Sequence, residues 1–268
     1  MIIGRREFDT EHDTYIMGIL NVTPDSFSDG GRYNGLDAAL AHAQQMVREG
    51  ADIIDVGGES TRPGHIQISD QEEIERVAPV VEAVKKEFDI PVSIDTYKSR
   101  VAEAAMKAGA DLVNDIWGLK YDAEMASVIA KSGAACCLMH NRQEAVYGDF
   151  WTDFMEDMKT CVRLAREAGV EEDKILLDPG VGFGKTYEQN LAVINHLDRL
   201  KELGFPVLLG TSRKSMIGLT LNLPPSERLE GTIATSVIGV MKGCSMFRVH
   251  DVKENVRAIR MTKAILNK

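Results

Sequence analysis

Ile53-Ile54-Asp55-Val56-Gly57-Gly58 and Val92-Ser93-Ile94-Asp95 are two short apolar runs separated by a segment in which Ile74, Val77, Ala78, Val81 and Val84 recur at helical spacing. The spacing predicts a one-faced helix, because residues three and four apart share a face while Glu73, Glu75, Arg76, Lys85 and Lys86 fall elsewhere. Each flanking run is compact and apolar, as a strand buried on both faces must be. The alternation extends in both directions from this unit. Strands are expected at Tyr15–Leu20, Ile53–Val56, Val92–Ile94, Leu112–Val113, Ala135–Met139, Ile175–Leu177, Val207–Leu209 and Met246–Val249. Helical spacing returns at Val101, Ala104, Ala105 and Ala108, at Leu191, Ile194, Leu197 and Leu200, and at Val252, Val256 and Ile259. Eight strand–helix units of roughly 33 residues predict an α/β protein, a (β/α)8 TIM barrel forming a single domain over residues 1–268.

Composition narrows the function classes. The 268 residues carry 31 Lys+Arg against 41 Asp+Glu, a formal net charge of −10. Such a surplus of carboxylates repels a polyanion, and no run of basic residues offsets it, so nucleic acid is not expected as a partner. The longest apolar runs are strand-sized, short of the ~20 residues a bilayer-crossing helix needs. Met1 to Asp13 is charged and has no apolar core, which argues against a signal peptide and for a cytoplasmic protein. Cys136, Cys137, Cys161 and Cys244 lack metal-ligand spacing, and Cys136 and Cys137 are expected to be inert core thiols.

A barrel of this type gathers its chemistry at the C-terminal ends of its strands. Here those ends carry Asn21, Asp55 with Gly57 and Gly58, Asp95, Asn114, His140, Asp178, Gly210 leading to Lys214, and Arg248 with His250. A structural turn needs only Gly, Pro or a cap, so this run of polar groups predicts one convergent mouth. Arg248 alternates with Phe247 and Val249 on the last strand, so it points to the opposite side from both. A guanidinium buried there requires an anion or a stacking plane. Arg213 and Lys214 have surface solvation as the simpler alternative, and His250 a purely structural role.

Two loops are unusually loaded. Residues 21–31 form a connection longer than the usual 2–6 residues, and Phe27 and Tyr33 suit a lid better than a solvated turn. Residues 55–64, with paired glycines, hydroxyls and Arg62, suit an anion held by backbone N–H groups and a cation. Asp178-Pro179-Gly180-Val181-Gly182-Phe183-Gly184-Lys185-Thr186 ends like a nucleotide-binding P-loop, yet Pro179 stands where its first glycine belongs. What remains is a strand-end carboxylate followed by glycines that let a flat ligand approach the backbone.

Three of these segments, residues 17–31, 52–64 and 177–185, closely resemble the dihydropteroate synthase family of pterin-binding enzymes. Ser93–Thr96, Val113–Asp115, Leu138–His140, Gly210–Ser215 and Arg248–Asp251 support the likeness, which spans Tyr15 to the C-terminus. The resemblance implies a transferase of folate synthesis that joins p-aminobenzoate to a dihydropterin diphosphate ester, releasing diphosphate. It implies that Asp95, Asn114, Asp178, Lys214 and Arg248 bind the pterin, with Asp95, Lys214, Arg248 and Asp29 in catalytic roles. Asn21 matches the family's Mg²⁺ position, and Asn21, Thr61, Arg248 and His250 would hold the diphosphate. Phe27, Thr61, Arg62, Pro63, Phe183 and Ser215 would shape the p-aminobenzoate pocket; the family is a sulfonamide target, and its homodimeric assembly is expected here too. The alternatives are a methyltransferase-type pterin barrel, disfavoured because methyl transfer has no diphosphate to clamp, and a non-catalytic pterin-binding protein.

Overall fold

The computed structural model describes residues 1–23, 31–60 and 67–267, and the side chains of residues 31–34 are not described. Phe27, Asp29, Thr61, Arg62 and Pro63 therefore lie outside the described residues, as does most of each expected lid. A two-stranded hairpin, β1 (Ile2–Ile3) and β2 (Arg6–Glu7), precedes eight parallel strands. These are β3 (Tyr15–Asn21), β4 (Ile53–Gly57), β5 (Val92–Asp95), β6 (Leu112–Asp115), β7 (Ala135–Met139), β8 (Ile175–Asp178), β9 (Leu208–Leu209) and β10 (Met246–Val249). They pair in the order β8-β7-β6-β5-β4-β3-β10-β9, and a parallel bridge from Leu177 to Val207 brings the two ends together. The expected (β/α)8 barrel is the observed one.

The helices follow their strands in turn: α1 (Gly31–Glu49), α2 (Asp70–Glu87), α3 (Ser99–Lys107), α4 (Met125–Ser132), α5 (Phe150–Glu167), α6 (Tyr187–Asn195) with α7 (Asp198–Lys201), α8 (Ser215–Leu221) with α9 (Leu229–Met241), and α10 (Val252–Leu266). Side-chain chemistry sets several starts. Ser69 accepts from the Glu72 N–H at the head of α2, Asp149 accepts from Thr152 N–H at α5, and Thr186 with Gln189 closes a capping box at α6. The buried stripe of α2 is Glu73, Val77, Val80, Val81 and Val84, turned slightly from the expected one so that Ala78 lies at its margin. A buried glutamate on that stripe is tolerated because Lys98 meets it. No helix among the described residues is long and apolar enough to cross a membrane.

Strand alternation divides the core in two. Outward-facing Leu20, Ile54, Val56, Ile94, Val113, Cys136, Leu138, Ile175, Leu177, Phe247 and Val249 pack against the helices. Inward-facing Met17, Ile53, Leu112, Ala135, Cys137, Leu176, Leu208 and Met246 fill the lower barrel, where Ile3 and Phe8 join them from the N-terminal segment. Cys136 and Cys137 are fully buried, and burial drives both thiols well above their ordinary pKa, which makes them the inert core groups expected. The hairpin was not foreseen in the sequence. Its apolar residues are too few to show a period, and its position depends on the barrel floor it closes. Phe8 is fully buried there and meets Tyr15 edge-on at 4.7 Å between ring centroids. Phe8→Ala should open this floor and lower unfolding free energy by about 3–5 kcal/mol in urea titration. A loss below about 1 kcal/mol would show that the floor collapses around the gap.

Candidate functional site

The inward parity that puts Met17, Ile53, Leu112, Leu176 and Met246 in the floor puts Asn21, Asp55, Asp95, Asn114, Asp178 and Arg248 above them. Residues two or four positions further along the same strands thus form the mouth. Arg248 lies at its centre. Its Nε donates to Asp55 Oδ2 at 2.6 Å and its Nη2 to Asp95 Oδ2 at 2.5 Å, across two strands. Ser93 donates to the other Asp55 oxygen at 2.5 Å, and Asn114 Nδ2 reaches Asp55 Oδ2 at 3.4 Å. Asp55 is fully buried, and charge-assisted bonds to Arg248 offset that burial.

Asp95 differs from Asp55 in one respect. Its Oδ1 is buried and has no hydrogen-bond partner among the described residues, although its Oδ2 is taken by Arg248. A buried acceptor left open is costly, so an orphan atom aimed into a mouth points to a donor supplied by a ligand. Burial, opposed by Arg248 and reinforced by Asp55, pushes the Asp95 carboxyl up to about 7. Asp178, also buried, accepts from Gly180 N–H at 2.6 Å through Oδ1. Burial raises it to about 6, against the pull of that N–H, of Lys214 and of Arg248. A Cβ on Gly210 would stand 3.4 Å from Asp178 Oδ2, so the glycine keeps the space beside that oxygen open.

Lys214 belongs to the mouth and is not a surface cation. Its Nζ lies 4.0 Å from the Phe183 ring centroid, its stem runs past Gly182, and its charge acts on both Asp95 and Asp178. Arg213 is the surface residue of the pair, exposed and bonded to Asp251 at 2.5 and 3.1 Å. Phe183 packs with Tyr97, Ile116, Trp117 and Met139 into an apolar ledge beside the carboxylates. His250 is half-buried. Its backbone N–H donates to Ser212 Oγ at 3.1 Å and its Nδ1 lies 2.9 Å from the same atom, so Ser212 fixes the ring's orientation. Asn21 ends β3 exposed, and Ser215 is exposed at the start of α8.

One strand-end residue departs from the expected convergence. His140 follows an outward-facing Leu138, so it leaves the mouth and stacks on Phe154 of α5 at 4.4 Å. Its Nε2 faces Asp157 at 3.1 Å, and burial lowers it to about 4. Asp55 and Ser93 were visible in the sequence without an assigned role; their inward parity was the available signal. Nothing in the sequence signalled the cluster beside the β4 and β5 exits. There buried Lys98 donates to Glu59 at 2.6 Å and Glu73 at 2.8 Å, and Tyr97 donates to Glu59 at 2.5 Å.

Among the described residues no group of three or more His, Cys, Asp or Glu could hold a metal ion. Gly57, however, leaves a gap in which a Cβ would stand 3.7 Å from Asn21 Oδ1 and 3.6 Å from Asp95 Oδ2. Hard oxygen donors this few fit a Mg²⁺ ion that keeps most of its water and takes its remaining ligands from a substrate, not a resident metal held in a protein cage.

Comparison with known proteins gives a consistent result. Residues 17–250 match the family model described as pterin binding enzyme. A dihydropteroate synthase of Clostridium beijerinckii is 60% identical, covering 100% of each chain. The crystal structure of a dihydropteroate synthase from Clostridium difficile in the presence of pteroic acid superposes with a TM-score of 0.95 at 56% identity, covering 98% of this chain and 100% of that one. A Xanthomonas albilineans dihydropteroate synthase with 4-aminobenzoic acid gives 0.91 at 40% identity, over 96% of this chain and 94% of that one.

A raised carboxylate pKa is also a stability statement. For Asp95 the folded state binds a proton that the unfolded chain releases near 3.8, so stabilisation is present below that pH and lost as pH rises through about 7. Asp95→Asn should therefore flatten the fall of unfolding free energy between pH 4 and 7, by up to about 1.4 kcal/mol per pH unit. Identical slopes for the two proteins would show that Asp95 stays ionised when folded.

Proposed function

Because the chain belongs to the pterin binding enzyme family, and within it to the dihydropteroate synthases, we propose that this mouth binds a dihydropterin diphosphate ester and transfers its methylene to p-aminobenzoate. The enzyme is a transferase of folate biosynthesis, and its products are 7,8-dihydropteroate and diphosphate. The observation that carries the residue assignment is the orphaned Asp95 Oδ1, an acceptor among Asn114, Asp178 and Arg248 that asks for a ring N–H.

In this reading the aminopyrimidine edge of the pterin, a row of adjacent donors, meets Asp178 Oδ2 and the donor–acceptor pair of Asn114. Asp95 takes the partly reduced ring, Lys214 reaches the ring carbonyl, and the Arg248 guanidinium, already fixed by Asp55 and Asp95, lies against the ring plane. The bond from the methylene carbon to the diphosphate oxygen breaks, and positive charge develops on the pterin. The Asp95 carboxylate opposes that charge. The p-aminobenzoate nitrogen then bonds to the methylene carbon and loses its proton.

Arg248, His250, Thr61 and Asn21 hold the departing diphosphate. Asn21 would hold a Mg²⁺ ion brought in with the substrate, which would neutralise charge on the leaving group. Phe183 and Ser215, with Phe27, Thr61, Arg62 and Pro63, form the p-aminobenzoate pocket, and Asp29 completes the catalytic set. The four free buried thiols fit a reducing, cytoplasmic setting. Exposed Leu219, Leu221, Ile238 and Met241 on α8 and α9 suit a homodimer interface, for which sedimentation velocity should give twice the chain mass.

The deciding assay follows diphosphate release from dihydropterin diphosphate with Mg²⁺, with and without p-aminobenzoate, together with dihydropteroate formation. Coupled release and product formation are expected; pterin binding without turnover would make the chain a non-catalytic binder. Asp178→Ala should abolish pterin binding in a folded protein, and Lys214→Ala should cut turnover by at least about tenfold with circular dichroism unchanged. Near-normal values would remove those roles.

A further inference from the structure

Behind the ledge, on the side of the Asp178 loop away from the mouth, lies a second lysine that the reaction itself does not use. Lys185 Nζ donates to Gly180 O at 2.9 Å and Phe183 O at 3.0 Å, and it lies 2.8 Å from His140 Nδ1. An ammonium has three N–H groups, and these three acceptors use all of them. His140 is accordingly neutral with its proton on Nε2, directed at Asp157, which Arg142 Nε also holds at 2.6 Å. The turn from Gly180 to Phe183 is thus closed by the lysine that ends it.

Gly180 cannot be moved freely within that turn. It sits at φ +64°, and a Cβ there would strike the His140 carbonyl oxygen, so backbone and neighbour are in close approach. Its N–H grips Asp178 Oδ1 at 2.6 Å while its own carbonyl is gripped by Lys185. Asp178 is left with Oδ2 on the side that Gly210 keeps open. The same ammonium fixes the Phe183 carbonyl, and with it the ring over which Lys214 lies.

We propose that Lys185 is a positioning residue for pterin recognition: it fixes the Gly180–Phe183 turn so that Asp178 stays oriented and ionised, with Oδ2 presented to the ligand. The inference rests on the reading that Asp178 meets the pterin edge. The strongest force holding the Asp178 proton off is the Gly180 N–H, followed by the charges of Lys214, Arg248 and Lys185. Lys185 contributes to the first through geometry and to the last through its own charge. The groups facing Lys185 are Asp178, Lys120, Lys214, Asp157 and His140, and burial among them lowers it to about 7. Below that pH it is charged, so its effect on Asp178 is fully present where Asp178 titrates.

The test is the pH dependence of binding of 6-hydroxymethylpterin, which is uncharged between pH 5 and 7, measured by calorimetry on the full chain. Wild-type affinity should fall in two steps, first as Asp95 protonates below about 7, a step common to every variant tested, and then by up to about a further tenfold per pH unit as Asp178 protonates below about 6. In Lys185→Met this acid limb should move up by at least about half a pH unit, as expected on removing a nearby cation and loosening an N–H donor. Lys185→Gln, which keeps N–H donors without charge, should move it less, and its limb decides the matter if Lys185→Met does not fold. A limb that stays at the wild-type pH, with affinity merely lowered throughout, overturns the inference and leaves the parent reading standing. A wild-type protein that binds no pterin at any of these pH values overturns both.

Discussion

Arg248 joins three strands of the barrel mouth through two carboxylates, and most of what the site does depends on that fork. Burial in the throat of the barrel pushes Asp95 towards its protonated form, and the Arg248 charge is the largest force opposing that shift. The guanidinium, held well above its ordinary pKa by Asp55 and Asp95, keeps its charge under any ordinary condition. It spends one donor on fully buried Asp55, which Ser93 and Asn114 also satisfy, and another on Asp95, which keeps an open oxygen. The first pair anchors and the second presents. A buried ion pair is weak support for stability when hydrophobic residues could fill the same space, so its retention here fits a role in orienting the groups that meet the ligand.

Parity along the strands explains why floor and mouth are so different in chemistry while only two residues apart. On β4, Ile53 belongs to the floor and Asp55 to the mouth; on β6 the same step leads from Leu112 to Asn114, on β8 from Leu176 to Asp178, and on β10 from Met246 to Arg248. Outward positions between them are uniformly apolar because helices cover them. The N-terminal segment packs Ile3 and Phe8 against the lower end of the barrel, opposite the mouth.

The barrel was legible because each strand is a separate apolar run and each helix carries its own stripe, signals that survive without tertiary knowledge. The strands differ from expectation by a residue or two, chiefly because Asn21, Asp95, Asp115 and Asp178 continue the ladder as polar residues after the apolar run has ended. Arg248 was legible for a similar reason, since alternation with Phe247 and Val249 gave its direction. His140 was misplaced because its position after β7 was read and its parity was not. Lys98 with Glu59, Glu73 and Tyr97 was invisible, as partners 25 to 39 residues apart leave no local pattern. Asn21, Lys214 and His250 owe their proposed roles to family likeness, and the geometry supplies the donors and charges those roles require.

The charge arrangement suits a reaction in which opposite charges separate. Diphosphate leaves with negative charge while the pterin becomes positive, so a site lined by one sign would stabilise one fragment and resist the other. Here Arg248 is fixed to Asp55 and Asp95 before any ligand enters, and the Lys214 charge acts on Asp95 and Asp178 from the neighbouring loop. Such preorganisation avoids the reorientation that water dipoles would need as charge develops. It also sets Asp95 apart from a surface carboxylate: burial raises its pKa to about 7, and positive charge on a ring beside it favours the ionised form.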